Sequence, residues 1–229
     1  MSAVLPGARG LFSVPQAALP GTHNRIRLSR RIFETLNDFR LIATTLQERP
    51  TRFRELVPVG QPVAVGACDA SQRGMGGVWF SPEHPPILWR AAFPAAVQRE
   101  LVTSTNRKGS LSISDLELAG TVAHKHVIST TLPSVAERLL WLTGDNRASL
   151  SWASKGSATS TAARSYILRL NTLHQRHFRY VARHDFIAGK DNVMAHQKVG
   201  FDNYNHNWLY ITQFMQFFVT YERCFLFTH

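Results

Sequence analysis

The sequence predicts a mixed α/β domain in which three antiparallel strands are followed by alternating helix and strand. Two observations carry that prediction. Apolar runs over 63–69, 77–80 and 86–93 are joined by connections too short for a parallel return, which needs a crossover of a dozen or more residues. From residue 112 onward helical and extended patterns alternate, as they do where helices cover the faces of a sheet.

Taken in order, residues 1–28 carry Pro6, Gly7, Gly10, Pro15, Pro20 and Gly21 without a sustained period and read as an extended lead-in. A helix is predicted over 30–48, with Ser29 as its N-cap and Pro50 beyond its end. Its apolar face is read as Ile32, Leu36, Phe39, Ala43 and Leu46, spaced by three and four. Residues 63–69 read as a buried strand ending at Asp69, and the Ala70–Gly77 stretch as a glycine-rich turn into the second strand. A helix over 112–129 then crosses to a buried strand over 139–145. Two further helices, 147–155 and 162–175, are divided by Gly156, and a last strand falls within 178–187. The boundaries predicted are a lead-in with its helix over 1–60, one domain over 61–200, and an aromatic-rich tail over 201–229.

The hydrophobic fraction of 44% is that of a globular chain with a core and argues against a disordered one. With 26 basic against 15 acidic residues, the formal charge of +11 points to a polyanionic partner, nucleic acid before an anionic membrane surface. Cys68 and Cys224 are far apart, so no disulfide framework is expected, and a reducing, intracellular location is. No cysteine–histidine spacing of a zinc site stands out. The aromatic stretch over 208–227 is interrupted by Gln213, Gln216, Glu222 and Arg223, so no membrane span is expected.

Few as they are, the acids fall at telling places. Asp69 ends one buried strand, where α/β proteins bind ligands, although an Asp there also suits a turn. Asp145 ends another, and with Asn146 could form an N-cap pair; Asn146 can cap alone, which leaves Asp145 surplus. At the helix start two capping boxes overlap. Ser114 with Glu117 would commit Glu117 to a backbone amide, whereas Ser112 with Asp115 leaves it free, and the second is favoured. Converging carboxylates supply the oxygen ligands that hard divalent cations take.

Asp69-Ala-Ser with Gly76-Gly77, Ser114-Asp-Leu-Glu-Leu-Ala119, Asp145-Asn146 and Ala188-Gly-Lys-Asp-Asn-Val-Met-Ala195 together resemble the successive motifs of the ribonuclease H domain of retroelement reverse transcriptases. The resemblance spans 60–196, and Arg49-Pro-Thr-Arg-Phe-Arg-Glu-Leu-Val-Pro58 looks like the connection that precedes that domain. It implies a ribonuclease H-like mixed five-stranded sheet and an endonuclease that cuts RNA paired to DNA. It implies two Mg2+ (or Mn2+) ions held by Asp69, Glu117 and Asp145, and a reverse transcriptase polymerase domain as a partner. The sequence departs from the family at His196, where a fourth Asp is expected. Imidazole suits manganese better than magnesium, so the second ion and full activity are in question there. A catalytically dead nucleic-acid-binding or connection module of the same fold is the alternative.

Contacts to nucleic acid are read at Ser71, Gln72 and Arg73, in the turn after Asp69, and at Asn146, Lys155, Arg164, Arg176 and Arg179. The cations among them belong to a stretch that alternates charge with aromatics, which an ordinary solvated face would also show. His184 reads either as a structural strand histidine or as an aid to proton transfer.

Overall fold

In a computed structural model of the chain, the described residues are 11, 12, 15, 28–46, 50–52, 55, 57, 59–132, 137–158 and 162–192; within helices the side chains of 31, 45 and 162 are not described. The predicted tail and His196 lie outside them, as does most of the lead-in. The elements are α1 (Arg30–Thr45), β1 (Ala64–Ala70), β2 (Gly74–Ser81), β3 (His84–Ala92), α2 (Ala95–Arg99), α3 (Ile113–Thr131), β4 (Leu139–Gly144), α4 (Arg147–Lys155), α5 (Ala162–Phe178) and β5 (Val181–Phe186). A 3-10 turn follows at Gly189–Asp191.

The five strands form one mixed sheet in the order β3-β2-β1-β4-β5. The first three are antiparallel neighbours, and β4 and β5 are added parallel to β1, as predicted. The short α2 was not foreseen, since five residues are too few to show a period.

The core lies between the sheet and α3. Leu118, Val122 and Ile128 of α3 are fully buried with Trp79, Leu140 and Leu142 of the sheet. His124 is buried among them. Its ring stacks on Trp79 at 4.1 Å, and its Nδ1 accepts from Trp89 Nε1 at 2.7 Å. Burial, then Lys125 beside it, keeps its pKa well below that of a free imidazole, so it packs as a neutral aromatic. Two glycines make room for it: a Cβ on Gly77 would stand 2.5 Å from Ala67 O and 2.9 Å from His124 Nδ1, and one on Gly66 would meet Trp79 at 2.5 Å. Lys125 is buried as well, donating to Asn171 Oδ1 and facing His184 Nε2 at 3.5 Å.

α1 packs on α5 over a face that keeps Ile32, Phe39 and Leu46 of the predicted one but turns toward Thr35, Asp38 and Ile42. Ile32, Thr35, Asp38 and Ile42 are buried, whereas Leu36 is 46% exposed. Arg169 of α5 pairs with Asp38 through both its Nε and its terminal nitrogen. A buried acid needs that partner, and the pairing rotates Leu36 and Ala43 outward. Among the described residues no helix is long and apolar enough to cross a membrane.

Candidate metal centre

β1 and β4 are neighbouring parallel strands, so their C-terminal ends share one edge of the sheet. Ala67 pairs with Thr143, and the same register carried two residues further brings Asp69 level with Asp145. Adjacent strands lie only about 4.8 Å apart, which makes the two carboxylates neighbours.

The third arrives from α3. Ser112 caps that helix and forms a capping box with Asp115: Asp115 N donates to Ser112 Oγ, and Ser112 N to Asp115 Oδ2 at 2.8 Å. That commits Asp115 to the helix start and leaves Glu117 to project elsewhere. Three residues on, Gly120 faces the end of β1, where a Cβ would make ordinary contacts, 3.6 Å from those of Ala70 and Met75 and 3.9 Å from Asp69 O. Glu117 is one turn earlier on that face. One carboxylate oxygen from each of Asp69, Glu117 and Asp145 lies within 4.8 Å of the others.

Electrostatics follow from that crowding. Asp69 and Glu117 are buried and Asp145 is half-buried. Burial first, then the charges of Asp69 and Asp145, pushes Glu117 up to about 9. The Cys68 thiol, beside Asp69 in β1, is pushed up to about 12 by burial and then by Glu117. Asp69 Oδ1 accepts from Ala70 N at 2.8 Å, which fixes its direction. The donor set suits a hard divalent cation, because every contributor is a carboxylate oxygen and the cluster otherwise relieves its repulsion by keeping a proton.

Other residues singled out from sequence fall in three groups. Ser71 closes the turn after β1, its Oγ accepting from Arg73 N at 3.2 Å and Gly74 N at 3.3 Å, while Gln72 and Arg73 are exposed beside it. Asn146 caps α4 through Ser149 N at 3.0 Å and donates to Ser114 Oγ at 3.1 Å, so it braces the gap between Glu117 and Asp145; Lys155 is exposed at the far end of α4. Three arginines turn inward. Arg164 pairs with the buried Asp115 at 2.7 Å and lies over Trp152 at 4.0 Å. Arg176 donates to Thr51 Oγ1 at 3.0 Å, and Arg179 binds Glu55 at 2.8 Å and Glu137 at 2.6 Å. Arg164 and Arg179 are thus matched by acids within the protein, and Arg176 is buried beside Thr51 rather than on a solvated face. His184 is on the strand side of the Lys125 cluster, not at the carboxylates, and burial holds it well below the ordinary imidazole range. Asp191 is exposed in the 3-10 turn and is outside the cluster.

Two contributors escaped the sequence reading. Asn192, 2% exposed, donates to Cys68 O at 3.3 Å and ties the turn after β5 to the end of β1; its place inside the Ala188–Ala195 block was the available signal. Arg147 holds its guanidinium 3.8 Å from the centre of the exposed Phe186 ring. Phe186 pairs with Gly144, the residue before Asp145, so this pair edges the site; no motif marks it.

No family model matches the chain, and no curated protein matches it. Among solved structures it is similar to LC11-RNase H1 isolated from compost, at 7% identity and a TM-score of 0.44, over 60% of this chain and 92% of that one. The N-terminal RNase H domain of a Mycobacterium tuberculosis protein gives 13% identity and a TM-score of 0.43, over 59% and 94%. The protease-reverse transcriptase of prototype foamy virus gives 15% identity and a TM-score of 0.34, over 78% of this chain and 21% of that one.

Proposed function

We propose that this chain is a metal-dependent endonuclease that cuts the RNA strand of RNA/DNA hybrids, derived from a retroelement reverse transcriptase. The observation that carries the reading is the meeting of Asp69, Glu117 and Asp145 within 4.8 Å at one edge of a five-stranded mixed sheet. The motif order along the chain and the net charge of +11 support it.

In this reading the three carboxylates hold a divalent cation, Mg2+ or Mn2+, which when bound activates a water and neutralises the leaving oxygen of a phosphodiester. The chain's own residues supply the rest. Glu117 gives up its proton as the site loads, and Asp69 is aimed by its bond to the Ala70 amide. Asn146, fixed by Ser114 and Ser149, keeps the Asp145 turn in place. Ser71, Gln72 and Arg73, in the turn after Asp69, and Arg147, two residues after Asp145, are the proposed contacts, with Lys155, to the hybrid's backbone and 2′-hydroxyls. A polymerase domain is the proposed partner of the connection that ends near Val59.

His196 in place of the family's fourth acid favours a second reading, an impaired or inactive hybrid-binding module. Cleavage of a labelled RNA/DNA hybrid, with Mg2+ and Mn2+ in parallel, separates the two. The nuclease reading expects RNA-strand cleavage that is lost in Asp69→Asn and accelerated in His196→Asp. Hybrid binding with no cleavage by the wild type or by His196→Asp would leave only the binding module.

A further inference from the structure

The connection from β3 to α3 begins and ends at the carboxylate edge of the sheet. Ala92, the last residue of β3, pairs with Gly74, two residues from the Gly76 that pairs with Asp69. Phe93 N then donates to Arg73 O at 2.9 Å, which sets the turn after β1 beside the start of the connection. At the far end Ser114 Oγ accepts from Asn146, the neighbour of Asp145, at 3.1 Å.

Between those ends residues 99–111 fold into a closed loop. Val102 N donates to Leu111 O at 2.8 Å and Leu111 N to Glu100 O at 2.9 Å, so its two limbs join as a bridge between Leu101 and Leu111. Asn106 fastens the interior: its amide donates to Arg99 O at 2.7 Å and Leu101 O at 3.0 Å, and its backbone N–H donates to Thr103 Oγ1 at 2.9 Å. Gly109 passes so near the other limb that a Cβ would stand 2.5 Å from Glu100 O. Leu101, buried in the core, anchors the base. A loop fixed in this way loses little further freedom when a ligand arrives.

Charge is what this loop presents. Arg99, Arg107 and Lys108 are exposed on it, and Arg73 is exposed at the same edge of the sheet. None of the four forms an ion pair among the described residues, whereas Arg164 and Arg179 are matched by buried acids. Glu100, the one acid of the loop, accepts from Ser110 Oγ at 2.8 Å. We propose that the 99–111 loop is a phosphate-binding arm that holds the backbone of the RNA/DNA hybrid on the β3 side of the carboxylates, chiefly through Arg107 and Lys108. The inference rests on the hybrid being the substrate, as proposed above. Lys108 is six residues from Ser114, at most about 20 Å of extended chain and so about six nucleotide steps along a strand. A duplex lying on the carboxylates therefore reaches it. Cations that meet only phosphate release counterions and add affinity without reading sequence.

Fluorescence anisotropy of a labelled RNA/DNA hybrid tests this on the full chain, across a series of salt concentrations and in chelator so that nothing is cut. Arg107→Ala and Lys108→Ala should each lower the slope of log affinity against log salt by about one, and the two together by about two. Both positions are exposed, so the melting temperature should not move. Arg138→Ala is the control, an exposed cation just before β4 at the opposite edge of the sheet; its slope should match that of the wild type. If the wild type binds hybrid and the double variant keeps its slope, or if Arg138→Ala loses as much as either single variant, the arm is overturned and the carboxylate reading stands. A wild type that binds no hybrid would instead overturn the substrate reading, and the arm with it.

Discussion

Replacing Glu117 by Gln preserves the shape of the side chain and removes its charge, and the structure sets the size of the effect on the metal-free protein. Glu117 is held at about 9 in the fold against 4.5 in a free chain. A carboxyl raised in this way contributes full stability below pH 4.5 and loses it as pH climbs toward 9, because the unfolded chain ionises while the native one keeps its proton. At 1.36 kcal/mol per pH unit, the burden on the wild type is about 1 kcal/mol at pH 5, about 3 kcal/mol at pH 7 and about 6 kcal/mol at pH 9. Glu117→Gln should be more stable than wild type in chelator by margins that grow in that order. Urea denaturation at the three pH values measures it, and the difference between the two proteins cancels the titration of Lys125 and the histidines. Adding Mg2+ should narrow the margin, since a ligand at 100 times its Kd stabilises only the protein that binds it, by about 2.7 kcal/mol, enough to reverse the ranking at pH 5 and to offset most of it at pH 7. A margin that stays flat with pH, or a variant less stable at every pH, would refute the reasoning.

Three further outcomes are expected. Lys125 is lowered to about 7 by burial, so its contribution to stability should rise by up to about 5 kcal/mol between pH 7 and pH 10.5, where the unfolded lysine is still protonated and the native one is not, against the falling contribution of Glu117. The stability of wild type relative to Lys125→Met in denaturant titrations should rise accordingly. Arg164→Ala leaves the buried Asp115 without its partner and should destabilise the fold by about 3–5 kcal/mol, read as a lowered denaturation midpoint. Arg147→Ala, at an exposed position, should leave the melting temperature unchanged and reduce the slope of hybrid affinity against salt by about one counterion in fluorescence anisotropy.

The first strands and the one before Asp145 were legible as apolar runs cut by Gly, Pro or Asp, and the carboxylates because Asp69 and Asp145 end two such runs. Glu117 needed one further step, the recognition that Asp115 answers Ser112 at the helix start, and the capping box is there. What stayed hidden depends on partners far away along the chain. That Leu36 and Ala43 of α1 face outward while Thr35 and Asp38 are buried goes with Asp38 meeting Arg169, 131 residues on. Arg164 and Arg179 read as free cations until Asp115 and Glu55, 49 and 124 residues distant, are brought to them. His124 reads as polar, yet two tryptophans and two glycines from three strands make a neutral slot for it.

Mn2+ titration followed by electron paramagnetic resonance, on wild type, Asp69→Asn and Glu117→Gln at pH 7.5, bears most directly on whether Asp69, Glu117 and Asp145 act together as a cation site. Saturable binding to the wild type that is weakened at least tenfold in both variants is the expected result. Equal Mn2+ affinity in all three proteins would show that the ion sits elsewhere and would contradict the account.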